Sequence, residues 1–262
     1  MSSSLAPEWA LGWCLVQTLV VIGSLYVFVP SKVRQLDRED PIQIRHRVMA
    51  FSIATVLCVC GTQWLLLGTG QSIMFLQGLS VQSTLYPLGS FVLLFSGQLV
   101  QVFAFPQEFD HQQLNISPEF WVNFRNLCFA PIPEEIIFRS LLGSTLMAAR
   151  FSHRTLLFGT PLFFGLAHIH LSVVKYWKSR DGMVMVQCLF QVAYTSLFGA
   201  LMMDVLLRTQ NILAVILIHS FCNMCGFPNL MFWRHPTAPF FKLALVGTCY
   251  VGGIAFYVST VS

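Results

Sequence analysis

About 20 predominantly apolar residues are enough to cross a bilayer as a helix. This chain has stretches of that kind almost end to end, near 8–29, 48–68, 83–105, 121–149, 155–173, 183–206, 210–227 and 239–261. No connection between them is long enough to hold a separate soluble domain. The expected fold is therefore all-α, a polytopic integral membrane protein of about eight transmembrane helices around a buried polar site, forming a single membrane-embedded domain over residues 1–262. Composition agrees. Only 10% of the residues are charged, against about 25% in soluble domains, and the mean hydropathy is +0.68. That leaves too little polar surface for a soluble globule and too much apolar surface for a disordered chain. The net charge of +4 is spread over many short segments, which argues against nucleic-acid binding.

The first stretch has no basic residue ahead of it and no convincing cleavage site after it, so it is read as a retained helix and not as a signal peptide. Orientation follows from the basic residues. Lys32, Arg34, Arg38, Arg45, Arg47, Lys175, Lys178, Arg180, Arg234 and Lys242 fall on one side, and Arg150, Arg154 and Arg208 on the other. Positive-inside partition places the odd-numbered connections in the cytosol and both termini in the lumen or outside. The acidic loop 106–120, with Glu108, Asp110 and Glu119, adds nothing to the count. Its sequon Asn115-Ile116-Ser117 is expected to be bare, since a glycan there would reverse the topology. Gly does not follow Met1 and no prenylatable Cys ends the chain, so the chain is not expected to be lipid-anchored itself.

Cys14, Cys58, Cys60, Cys128, Cys188, Cys222 and Cys249 sit inside apolar runs and read as small buried hydrophobes. The CxxC of Cys222 and Cys225 has no second pair and no thioredoxin-like context, so it is read as inert.

A charge at the bilayer centre costs about 2.5 to 3.5 kcal/mol even on lenient insertion scales. Three carboxylates nonetheless lie inside apolar stretches: Glu134, Glu135 and Asp204. Asp204 is explained by a surface pair with Arg208, four residues on. The glutamates need another reason. In Pro131-Ile132-Pro133-Glu134-Glu135-Ile136-Ile137-Phe138-Arg139, Pro133 can serve as the first helical residue and put both carboxylates in a first turn, where free N–H groups favour anions. Glu135 and Arg139 then share a face and pair, while Glu134 is rotated by about 100° and stays available. Decoration of a helix start, with charges snorkelling to the headgroups, is the plainer alternative.

Other polar residues form a matching set. His168 closes Phe164-Gly165-Leu166-Ala167-His168, and His219 with Asn223 forms HxxxN, on one helical face. A carboxylate can take a proton from water, one His can orient that water, and a second His with an Asn can donate to a developing oxyanion. Glu134, His168 and His219 could instead be three zinc ligands with an open fourth position, although no HExxH is present. Cys128 and Ser140 lack triad spacing as nucleophiles, and His170 faces away from His168.

In order, Glu134 to Arg139, Phe164 to His168 and His219 to Asn223 match the EExxxR, FxxxH and HxxxN motifs. The chain so resembles the CPBP family of intramembrane proteases, and in particular its type II CAAX prenyl endopeptidases. Arg125-Asn126-Leu127-Cys128-Phe129-Ala130-Pro131 and His219-Ser220-Phe221-Cys222-Asn223 resemble the eukaryotic branch. The resemblance covers 134–223, about a third of the chain. It implies an eight-helix protease of the endoplasmic reticulum membrane that removes the last three residues from prenylated CAAX proteins such as Ras-type small GTPases. Glu134 and His168 would activate water, His219 and Asn223 would form the oxyanion hole, and Glu135, Arg139 and Phe164 would support the site. The resemblance favours a glutamate protease with no metal and no cofactor. An isoprenoid adds about 0.8 kcal/mol of bilayer affinity per buried CH₂, so such a substrate reaches the membrane from the cytosol, the side nearer Glu134. Some of the 24 Phe could line a prenyl groove. A transporter or scaffold is the non-enzymatic alternative. A transporter should show internal repeats, and none is found.

Overall fold

The computed structural model describes residues 4–74, 77–105, 114–228, 232–234 and 239–261, apart from the side chains of 170, 171, 178, 260 and 261. Glu108, Asp110 and the side chain of His170 therefore lie outside the described residues. Among the described residues there are helices and turns and no strand. The α-helices are α1 (Pro7–Val27), α2 (Ser31–Arg34), α3 (Pro41–Leu66), α4 (Val81–Leu94), α5 (Ser96–Ala104) and α6 (Phe120–Asn123). They continue with α7 (Pro131–Glu135), α8 (Leu142–Ala148), α9 (His153–Ser179), α10 (Gly182–Thr209), α11 (Ile212–Cys225) and α12 (Phe240–Val261).

The chain is a multi-pass membrane protein, with five helices among the described residues long and apolar enough to span: α1, α3, α9, α10 and α12. The third apolar stretch is a bent pair, α4 and α5 meeting at 66°, and makes a sixth span if the pair is read as one. The expected count of eight is thus not reached by length and apolarity alone. Two stretches account for the difference. The seventh is α11, of 14 residues, about 21 Å at 1.5 Å per residue. The fourth is not a single helix, because Pro131 and Pro133 have no N–H to donate. The hydrogen-bond register slips there, and the Ala130 N–H reaches back five residues to the Arg125 carbonyl at 2.8 Å. Two π-helical segments, Phe124–Phe129 and Ile136–Leu141, flank α7.

This corrects the expected helix start. Pro131, not Pro133, opens α7, and Ala130 before it is already helical. The glutamates sit inside a continuous, irregular helix. The Glu134 N–H is bonded to the Ala130 carbonyl at 3.2 Å and does not belong to a free helix end. The fifth stretch also differs from expectation. It is a 27-residue helix that keeps Pro161 in its interior, because polar residues at its ends extend it beyond the apolar run.

Helices α9 and α10 pack as a hairpin with close backbone approach. A Cβ at Gly165 would lie 3.0 Å from Ser196 Oγ, and one at Gly199 would lie 3.0 Å from Pro161 Cβ. Small residues at such crossings let helices approach where lipid supplies no hydrophobic drive. Their outer faces, with Leu166, Leu189 and Leu197, are exposed and apolar. Cys60 and Cys128 are exposed in the same way, contrary to the reading of them as buried, while Cys222 and Cys225 are buried free thiols.

Connections gather at two ends. At one, Arg125 Nη1 donates to the Arg38 carbonyl at 2.7 Å, and the Asn115 N–H donates to the Met224 carbonyl at 2.7 Å. At the other, Leu5 N–H bonds the Ala148 carbonyl and Gly78 N–H bonds the Gln210 carbonyl, each at 3.0 Å.

Candidate active site

The irregular helix around α7 carries the two glutamates in opposite senses. Glu135 is fully buried, with its Oε2 3.1 Å from Arg139 Nε and its Oε1 2.5 Å from His219 Nδ1. The pairing with Arg139 holds as expected from the spacing. Its second partner, on α11 and 84 residues away, has no sequence signal. Arg139 is 1% exposed, and its guanidinium rests over the Phe164 ring at 4.2 Å and faces the Phe198 ring at 5.8 Å. Ring quadrupoles attract a cation most where water is excluded. Phe164 therefore supports the cation directly.

Glu134 points the other way, as its 100° rotation requires. Its carboxylate is partly exposed and borders a cavity of about 260 Å³. His168, His219, Asn223 and Phe164 border the same cavity. The four residues singled out for chemistry are thus brought together from three separate segments. Their polar atoms are arranged without direct contact, for Glu134 Oε2 and His219 Nε2 are 3.8 Å apart, too far for a hydrogen bond.

The ring nitrogens can be assigned from their partners. A carbonyl only accepts, so His168 Nδ1, 2.8 Å from the Phe164 carbonyl, is the donor. In the neutral ring this leaves the lone pair on Nε2. His219 Nδ1 faces a carboxylate and also donates, so its Nε2 is directed at the Glu134 side. Phe164 meets His168 edge to face at 4.7 Å and Phe198 meets His219 at 4.9 Å, which restrains both rings.

Asn223 Nδ2 donates to the Asn126 carbonyl at 2.9 Å, and with two N–H groups on that nitrogen one remains for another acceptor. Asn115 donates from Nδ2 to the Asn223 carbonyl at 3.2 Å. Asn126 and Asn115 thus hold Asn223 in place, contacts that chemical reasoning on the sequence missed because each runs through a backbone carbonyl. Asp204 and Arg208 pair at 2.8 Å on the far part of α10, as the spacing predicts, but Asp204 is buried and not at the surface as expected, and only Arg208 is half exposed. Among the described residues no three His, Cys, Asp or Glu side chains converge closely enough to hold a metal ion.

The central cavity adjoins two others. One of about 450 Å³ is walled by aromatic and aliphatic side chains including Phe95, Phe190, Phe227 and Tyr250, and shares Tyr194, Phe198 and Cys222 with the centre. The second, about 150 Å³, shares Arg38, Ala130, Glu134, Phe164 and His168 with the centre. The polar cluster lies between them.

Comparison with known proteins agrees with the motifs. The family model described as "Type II CAAX prenyl endopeptidase Rce1-like" matches residues 116–225. "CAAX prenyl protease 2" of Homo sapiens is 31% identical over 234 residues, covering 82% of this chain and 70% of the relative. "Probable CAAX prenyl protease 2" of Schizosaccharomyces pombe is 28% identical over 240 residues, 88% of this chain and 86% of its own. "CAAX prenyl protease 2" of Saccharomyces cerevisiae is 38% identical over 133 residues, 47% of this chain and 40% of its own. No solved structure gives a significant match.

Proposed function

The chain belongs to the type II CAAX prenyl endopeptidase family, and from that premise we propose that it is an intramembrane peptidase of the endoplasmic reticulum that removes the C-terminal tripeptide from prenylated CAAX proteins, Ras-type small GTPases among them. The observation that carries the proposal is the single cavity bordered by Glu134, His168, His219 and Asn223, flanked by an aromatic cavity suited to an isoprenoid.

The geometry supports the following chemistry. A water bound between Glu134 and His168 Nε2 gives a proton to the carboxylate as its oxygen attacks the carbonyl carbon of the prenylated cysteine. The developing oxyanion accepts from His219 Nε2–H and from the second Asn223 N–H. With Nε2 protonated His219 is a cation, and the set Glu134, Glu135, Arg139 and His219 is then balanced at two charges of each sign. Collapse of the tetrahedral intermediate breaks the C–N bond, and the proton held by Glu134 passes to the leaving amine of the tripeptide. Glu135 and Arg139 hold His219 in orientation and take no part in bond making. No metal is needed for these steps. The whole chain acts as one catalytic domain.

The test is release of the tripeptide from a farnesylated CAAX peptide by purified protein, with wild type compared with Glu134→Ala, each with and without chelator. General acid–base groups contribute about 10²- to 10⁴-fold, and a loss of that size in the variant, with wild type indifferent to chelator, is the expected result. Activity lost to chelator and restored by zinc would move Glu134 and the histidines into a metal shell. No cleavage by folded wild type would sink the peptidase reading.

A further inference from the structure

We infer that Arg38, Arg47 and Arg125 form a binding site for the free C-terminal carboxylate of the substrate, and so fix the length of the fragment released. The inference rests on the peptidase reading above and extends it to a part of the substrate that reading leaves unplaced.

Along such a substrate the order is isoprenylated cysteine, scissile bond, three residues, carboxylate. The three cavities lie in a matching order. The aromatic cavity meets the centre at Tyr194, Phe198 and Cys222. On its other side, at Glu134 and His168, the centre meets the cavity that also holds Arg38, Arg47 and Arg125. If the isoprenoid occupies the first, the departing peptide runs into the second. Three extended residues span at most about 10 Å, so the carboxylate comes to rest close to the water-activating groups, on the arginine side.

Arg38 is exposed, and Arg47 and Arg125 are half-buried. They come from the α2–α3 connection, from α3 and from the π-helical segment before α7, and lie near enough to repel one another. Among the described residues no carboxylate is within ion-pair distance of any of them, although Glu39 acts on Arg125 from further away. Arg125 is held in place by its bonds to the Arg38 carbonyl at 2.7 Å and to Asn126 Oδ1 at 2.9 Å. Clustered like charges around one cavity favour an anion, and the planar guanidinium fork matches a carboxylate. A fourth residue on the leaving side would push the carboxylate past the cluster, and a missing one would leave it short.

The experiment compares two farnesylated peptides that differ only in ending as free acid or as carboxamide. The expected result is that wild type prefers the acid by about 10- to 100-fold in kcat/KM, the range of a charge-assisted hydrogen bond of 1.5–3 kcal/mol. Arg47→Gln should abolish the preference, with the loss falling on the acid and seen in KM more than in kcat, and Arg47→Lys should restore part of it. Equal cleavage of acid and amide by wild type would overturn the inference and leave the peptidase reading standing. A preference that survives in Arg47→Gln would overturn the role given to that residue. Cleavage of neither peptide would sink the peptidase reading, and this inference with it.

Discussion

The α9–α10 hairpin and the stretch from Phe120 to Ala148 lie side by side in the same bilayer and solve its central problem differently. In the hairpin two long helices satisfy their own backbone, exclude side-chain volume at Gly165 and Gly199, and pair the buried Asp204 with Arg208, which reaches out half exposed. The other stretch is a succession of short α- and π-helical segments, and it carries the fully buried pair Glu135 and Arg139 together with Glu134 at the central cavity. Irregular π segments are common at functional sites. The hairpin braces this site from outside and lends it His168, whereas the charges sit where the helix is broken.

Substitutions can break or sharpen that contrast. The largest effect is expected from Arg139→Met, which leaves Glu135 buried with only His219. Removing one partner of a buried pair costs about 3–5 kcal/mol, read as lowered thermal stability in detergent micelles, and peptidase activity should fall with it as His219 loses its fixed orientation. An intermediate effect is expected from Gly199→Val on the regular helix, whose side chain would crowd Pro161 and Arg139 Nη2, the latter 3.4 Å from a Cβ. Overpacking typically costs about 1–3 kcal/mol, and most of the loss should appear as stability, not as kcat of the folded fraction. The smallest is Asp204→Asn, which removes an i, i+4 pair whose Arg208 is half exposed and stays hydrated, although Asp204 itself is buried. Such pairs are worth about 0.3–0.5 kcal/mol, so midpoint and turnover should be nearly those of wild type. If Asp204→Asn proved as damaging as Arg139→Met, the division between a structural hairpin and a chemical stretch would fail.

Much of this was legible beforehand because lipid makes polar residues conspicuous. Glu134, Glu135, His168, His219 and Asn223 stand out in apolar runs, and the i, i+4 rule alone joins Glu135 to Arg139. Pairing across helices was not legible: no pattern links Glu135 to His219, or Asn126 to Asn223, since each contact depends on how distant segments pack. The π-helical segments are not legible because reading at 100° per residue presumes an α-helix, and Pro133 reads as a helix start although the helix already runs through Ala130 and Pro131. The span count was set by apolar length, which does not register the bend between α4 and α5 or the shortness of α11. Arg38 and Arg47 served only to orient the chain, because charge near a span end reads the same whether it anchors a helix or lines a cavity.

The double pairing of Glu135 also bears on the order in which the chain is made. Synthesis proceeds from the N-terminus, so the segment containing Glu135 is complete well before His219 exists. Arg139, only four residues behind, is at hand almost at once. The carboxylate thus has a counter-charge on its own segment while the rest of the chain is still being translated, and His219 arrives later as a replacement for nothing, an added partner whose docking closes the site. One side chain thus has a near partner available during synthesis and a distant one available only after the rest of the chain is made.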